Sequence, residues 1–194
     1  YGRLADTYYN RFKHPVILDY SLQTLIKNKN ILQKKYPNII LIAANAYKLP
    51  FTDSSIDSAL MVRVLHHLDE PDIYFKEIGR VLKSNGTYTQ EFANKMHIKA
   101  KIRALLKRDF AFFSKKPYQQ PTIGNFEGTN NQSSIFLNYH PAHVKKLFKL
   151  ADIRIYKRYG CSYLRIPFLK RKFKTSMLIK IEIFLQKLLS WTNI

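Results

Sequence analysis

Short apolar runs alternate with helix-length segments through the first half of this chain, and that alternation constrains the fold more than any other feature. Pro15-Val16-Ile17-Leu18 ends at Asp19. Ile39-Ile40-Leu41-Ile42-Ala43 follows, then Ile56–Met61 and Thr87–Phe92. The first two are continuous apolar runs and read as strands buried on both faces; the other two read as the third and fourth strands. Between them, residues 3–12, 21–36 and about 71–83 read as helices. Ser21 is a plausible N-cap for the second, which closes before Pro37, and Pro71 sits in the first turn of the third, where a missing N–H does no harm. Asn85-Gly86 is expected to end that helix in a turn with positive φ. Strands and helices in this order give an α/β chain with a parallel sheet covered on both faces.

Beyond Asn94 the pattern loosens. Residues 95–108 read as a basic helix, 114–138 as a Pro/Gly/Asn-rich insertion, and about 141–150 as a helix opened by Pro141. Ile153–Tyr156 and Ser162–Arg165 are expected to form a hairpin around Gly160 at the sheet edge, ahead of a last helix over about 176–191. With no internal repeat and no linker composition, 1–194 reads as a single domain. Cys161 is alone, so an internal disulfide is impossible and a reducing, cytoplasmic setting is expected. No apolar run approaches the length needed to span a bilayer.

Charge separates the two halves. Residues 1–94 hold 12 Lys/Arg against 9 Asp/Glu, and residues 95–194 hold 21 against 4. Such an excess favours nucleic acid or an anionic membrane surface, or reflects a Lys-rich proteome.

Ligands of open α/β sheets bind beyond the carboxyl ends of the strands. Asp19 stands at such an end, where a carboxylate accepts hydrogen bonds from a ribose diol; the plainer reading is a solvated cap on the following helix. Ala44-Asn45-Ala46-Tyr47-Lys48-Leu49-Pro50-Phe51, followed by Asp57 and by Arg80-Val81-Leu82-Lys83-Ser84-Asn85-Gly86, resembles the second half of a class I S-adenosylmethionine-dependent methyltransferase of the type 11-like kind. The resemblance covers residues 1–94 well and the remainder loosely. It implies a Rossmann-like three-layer sheet, mostly parallel with an antiparallel C-terminal hairpin. It also implies S-adenosyl-L-methionine as cofactor, Asn45-Ala46 against the adenine, and Val62-Arg63 in the segment under the methionine end. Gly2 would be the tail of a glycine-rich turn whose strand, the first and central one, is lacking here. Losing that strand would expose two sheet edges, so the chain is not expected to fold stably alone. On this reading 1–94 is the cofactor-binding part and 95–194 a basic acceptor or lid part.

No metal-ligand spacing, nucleophile elbow or P-loop lysine motif is visible. Methyl transfer needs few polar groups, because the cofactor supplies an activated methyl and the protein aligns the acceptor and excludes water. His67 is the candidate for a catalytic base, and one of Glu91 or Asn94 the candidate to touch the acceptor; Glu91 is thereby a second catalytic candidate, and each is set against a structural role. Of the adjacent His66 and His67, one is expected to pack and the other to face the cleft. The aromatics Phe110, Phe112, Phe113, Tyr118, Phe126, Phe136 and Tyr139 favour a small-molecule or lipid-like acceptor. Leu169–Lys174 is a basic run ahead of a helix whose Met177, Leu178, Ile181, Phe184, Leu185, Leu188, Leu189 and Trp191 share about half the wheel. That stripe either covers protein or lies on an anionic membrane. Two other classes stand against the enzyme reading: a nucleic-acid-binding or RNA-modifying protein, and an inactive cofactor-binding scaffold.

Overall fold

The amino-terminal helix is shorter than the sequence predicts. In the computed structural model, which describes residues 2–119, 137–160 and 167–189, α1 spans Ala5–Tyr8 and tightens into a 3-10 turn over Tyr9–Arg11. Asp6 ties it to the next helix, accepting from Lys35 Nζ at 2.8 Å and from the Tyr36 hydroxyl at 2.6 Å. Strand β1 is Val16–Asp19 and α2 is Leu22–Lys35. Ser21 caps α2 as its sequence position predicts, its Oγ accepting from Thr24 N at 3.2 Å, so one orphan donor of the first turn is satisfied. Leu25 and Leu32 bury one face of α2, and Leu32 joins Ala5, Tyr36 and Ile39 in a small core.

Strand β2, Ile40–Ala43, pairs in parallel with β1, Asp19 opposite Ala43. Strand β3 is Ile56–Met61 and α3 is Pro71–Val81, with Pro71 in the first turn. Tyr74, Phe75, Ile78 and Val81 form the buried stripe of α3, and the first three enter the larger core with Leu65, Tyr139, Val144 and Leu147. Helix α3 runs straight into β4, Leu82–Gln90, which pairs in parallel with β3.

The expected positive-φ turn at Asn85-Gly86 is absent. Ile56 pairs with Leu82 and Ser58 with Thr87, so Lys83–Gly86 bulges out of the ladder. Gly86 serves close approach instead of left-handed geometry: a Cβ there would lie 2.9 Å from the Lys83 carbonyl oxygen and 3.1 Å from that of Ile56.

The β1–β2 and β3–β4 pairs share no ladder. The break falls where the resemblance implies a further strand. Its consequence is visible in exposure: all of β1 is only half-buried, Ile40 is 42% exposed and Leu60 44%. Full burial of both sheet faces, expected from the apolar runs, is therefore not reached.

Helix α4 is Ile98–Leu106. The short strands β5, Tyr118–Gln119, and β6, Leu137–Asn138, pair antiparallel at the two ends of the insertion. Helix α5, Pro141–Leu150, follows. The strand expected at Ile153–Tyr156 does not form, and residues 153–160 have no regular structure. Asp152 turns left-handed (φ 54°) and the Ile153 N–H donates to the Phe148 carbonyl at 2.9 Å, so Ile153 closes α5 instead of opening a strand. Its expected partner, Ser162–Arg165, lies outside the described residues.

Contacts divide the chain into two compact units, 1–153 and 154–194. The second contains α6, Pro167–Lys172, and α7, Thr175–Leu189. On α7, Met177, Ile181, Phe184 and Leu188 of the expected stripe are exposed, and so are Ile179 and Ile183 on the opposite face. Among the described residues no helix is long and apolar enough to cross a membrane.

Candidate functional site

The carboxyl ends of β1 and β2 bring Asp19 and Asn45 together. Ala44 N donates to the Asp19 carbonyl at 3.0 Å, which starts the loop after β2 beside the end of β1. One carboxylate oxygen of Asp19 accepts from Ser21 N at 2.8 Å. The group is thus oriented by its own helix start, and its second oxygen has no partner among the described residues. Asn45 Oδ1 accepts from Tyr47 N at 2.9 Å, fixing an Asx turn, with the residue exposed. Ala46 packs on the larger core. Gly2 is left-handed (φ 63°), its carbonyl accepting from Ala5 N at 2.8 Å. A Cβ at Gly2 would come within 2.4 Å of Leu32 Cδ2 and 3.4 Å of Ile17 Cδ1, so glycine is required by both φ and space. Ile17 is two residues before Asp19 on the same face of β1.

The ends of β3 and β4 bring Val62-Arg63 beside Glu91, whose N–H donates to the Met61 carbonyl at 2.9 Å. Arg63 is exposed and left-handed (φ 59°), a conformation costing a non-glycine residue about 1–3 kcal/mol and found most often at functional turns. A part-buried polar chain braces this end. The Tyr74 and Tyr88 hydroxyls are 2.8 Å apart, Tyr88 donates to Gln90 Oε1, and Gln90 Nε2 donates to the Glu91 carbonyl at 2.6 Å. Burial pushes both phenols up, so they stay protonated donors.

Leu65–His67 forms a 3-10 turn. His66 is 8% exposed and His67 is exposed, their rings 4.1 Å apart, so His66 packs while His67 reaches solvent. Burial first, then the neighbouring His67 and Arg63, push His66 down to about 4, so it is neutral at pH 7. Tyr139, fully buried, holds this turn by donating to the Leu65 carbonyl at 3.4 Å.

No hydrogen bond among the described residues runs between the Asp19–Asn45 end and the Val62–Glu91 end; the loop after β2 joins them. Tyr47 Oη accepts from Asp69 N at 2.9 Å and from Glu70 N at 3.2 Å. Arg80 donates to the Phe51 carbonyl at 2.9 Å and the Leu49 carbonyl at 3.2 Å, and pairs with Glu77 and Asp53 at 2.6 Å each. Glu77 in turn accepts from Leu49 N at 2.7 Å. The Arg80 guanidinium, aided by the Leu49 N–H, holds the Glu77 carboxyl below its ordinary range against the opposing effect of burial.

Residues 1–89 match the family model described as a methyltransferase domain. That stretch is somewhat less than half of the chain, and it is similar to that family. The chain is also similar to an uncharacterized methyltransferase-like protein of Schizosaccharomyces pombe, 39% identical over 57 residues, 29% of this chain. The chain spans only 22% of that relative's length. The crystal structure of the YcgJ protein of Bacillus subtilis aligns with 93% of this chain and 70% of its own, at 17% identity and TM-score 0.57. That of a SAM-dependent methyltransferase of Methanosarcina mazei covers 76% and 73%, at 22% identity and TM-score 0.52. The fold is therefore the Rossmann-like α/β fold of class I methyltransferases.

Two features of this chain escaped the sequence reading. Arg80 opens the second motif that carries the resemblance and Glu77 precedes it, yet their grip on the loop backbone is a tertiary fact that no spacing announces. Lys95, read as part of the basic segment 95–108, is 2% exposed; its Nζ donates to the Lys116 carbonyl at 2.6 Å and lies 5.6 Å from the Phe112 ring centroid. It lines a cleft of about 240 Å³ with Asn94, His97, Arg103, Phe112 and Asn138. A second cleft of about 290 Å³ lies by Pro15 and Asn38, at the amino ends of β1 and β2 and away from the functional end. Of the aromatics assigned to a lid, Phe112 is buried against Phe113 and Tyr118, Tyr139 belongs to the core, Phe110 is 70% exposed, and Phe126 and Phe136 lie outside the described residues.

Proposed function

We propose that this protein binds S-adenosyl-L-methionine and transfers its methyl group, in line, to a small-molecule or lipid-like acceptor. The observation that carries the reading is the juxtaposition of Asp19 and Asn45 at the carboxyl ends of β1 and β2, within the stretch similar to the methyltransferase family. The donor set suits the cofactor. An oriented carboxylate with an open oxygen accepts from ribose hydroxyls, an exposed amide hydrogen-bonds an adenine edge, and Ala46 leaves the backbone approachable. When bound, the cofactor supplies a methyl already activated by the sulfonium charge.

The protein's own work is then alignment and exclusion of water. The Arg80–Glu77 clamp and the Tyr47 hydroxyl keep the adenine-side loop fixed against the turn that follows β3. Val62-Arg63 supports the methionine side, and the Tyr74–Tyr88–Gln90 chain fixes the neighbouring Glu91. Glu91 is the candidate to hold the acceptor or take its proton, with His67 the second.

For the acceptor half, we propose that α7 contacts an anionic membrane surface through its exposed apolar residues, with Arg171, Lys172 and Lys174 near the headgroups. Cosedimentation with phosphatidylglycerol vesicles at low salt, but not with phosphatidylcholine vesicles, is the expected result; equal indifference to both removes the membrane proposal. Incubation with methyl-tritiated S-adenosyl-L-methionine and fractionated cell extract tests the enzyme reading. Label is expected in an organic-soluble or small-molecule fraction. Cofactor binding without label in any fraction would favour an inactive scaffold, and label in RNA would favour the RNA-modifying alternative.

A further inference from the structure

The cleft beside the end of β4 carries an unusual group, a nearly buried ammonium without an ion-pair partner among the described residues. Lys95 is held there by two strand-like hydrogen bonds around Tyr139: Tyr139 N donates to the Ala93 carbonyl at 2.8 Å and Lys95 N to the Tyr139 carbonyl at 3.1 Å. Its Nζ has the Lys116 carbonyl and the face of Phe112, and among the described residues no carboxylate lies within ion-pair distance. The acid nearby, Asp109, is directed elsewhere, accepting from Phe112 N at 3.2 Å and from the Tyr118 hydroxyl at 3.0 Å. A buried charge is costly unless something pairs with it.

The surroundings add positive charge. Arg103 and His97 line the same cleft. Lys95, Lys101 and Lys115 lie near enough to His140, and Lys95 and Lys146 near enough to His143, to push both imidazoles further down after burial has lowered them. A cleft lined by one sign of charge focuses its field on an entering counter-charge. The amides of Asn94 and Asn138 on its wall add hydrogen-bonding capacity, although Asn94 Oδ1 already accepts from Met96 N at 2.8 Å. At about 240 Å³ the cleft is smaller than a pocket for a whole drug-sized ligand, roughly 300–1,000 Å³, so it suits one group of a larger molecule.

We propose that this cleft receives an anionic group, a phosphate or a carboxylate, carried by the methyl acceptor, with Lys95 and Arg103 as its cationic partners. The inference rests on the methyltransferase reading only in calling the ligand an acceptor; the anion site itself stands on the geometry. It narrows the acceptor to molecules that are acidic at one end.

The test is a nuclear magnetic resonance titration of the protein, as its gene encodes it, with inorganic phosphate and separately with acetate, following the backbone amides of residues 94–97. Saturable shifts are expected, weakened about tenfold by R103Q, the loss typical of one charge-assisted hydrogen bond. K95M is expected to abolish them. Because Arg103 is exposed, R103Q keeps the test valid if K95M fails to fold. K13Q, in the cleft at the other end of the strands, is expected to change nothing, which separates a built site from general attraction to a basic chain. A stronger response to phosphate or to acetate identifies which anion the site prefers. Absent shifts at 94–97, or equal affinity in wild type and R103Q, overturns the proposal. S-adenosylhomocysteine titrated into the same samples keeps the two readings apart: anion binding without cofactor binding removes the acceptor role but leaves the site.

Discussion

Arg63 holds a left-handed backbone at the end of β3, so relieving that strain tests whether the turn matters for function. R63G is expected to raise stability by up to about 1 kcal/mol in urea unfolding while weakening S-adenosylhomocysteine binding; loss of stability would mean that Arg63 makes contacts outweighing the strain. His66 gives a pH dependence with a defined sign. Its folded pKa, about 4, lies below the ordinary 6.5, so between these values the unfolded chain binds more protons and stability falls as pH drops. The contribution is complete above about pH 6.5 and lost on descending to about 4, and H66F should flatten that part of the profile. An unchanged profile in H66F would assign the acid sensitivity to other groups.

At the scale of elements, the β3–β4 ladder depends on the close approach at Gly86. G86A would press a methyl against two backbone carbonyls, and an overpacked position of this kind costs about 1–3 kcal/mol. A neutral G86A in urea unfolding would show that the bulge can shift. Strands β1 to β3 and the second half of β4, α2 with its Ser21 cap, and α3 with its Pro71 start were legible in the sequence, because apolar runs, caps and prolines act locally. Asp19, Asn45 and Glu91 were legible as strand ends. What could not be read depends on partners distant in sequence: the Arg80 clamp, the Gly86 contact with Ile56, and the burial of Lys95 under Phe112. Ile153 was misread because its apolar neighbours fit a strand, whereas the left-handed Asp152 uses its N–H to close α5.

For the whole molecule, the open ladders between β1–β2 and β3–β4 dominate. Each pair keeps an unpaired edge among the described residues, and two small cores take the place of one continuous sheet interior. Residues 1–194 alone are therefore expected to unfold broadly, without a single sharp calorimetric transition; one cooperative transition would contradict this account of the fold. The central claim, that the ends of β1 and β2 form a site for an adenosyl cofactor, is tested most directly by calorimetric titration of S-adenosylhomocysteine into the protein as its gene encodes it. Micromolar binding that D19A weakens at least about tenfold, the effect of losing hydrogen bonds to a charged group, is the predicted result. Binding indifferent to D19A, or no binding, would contradict it.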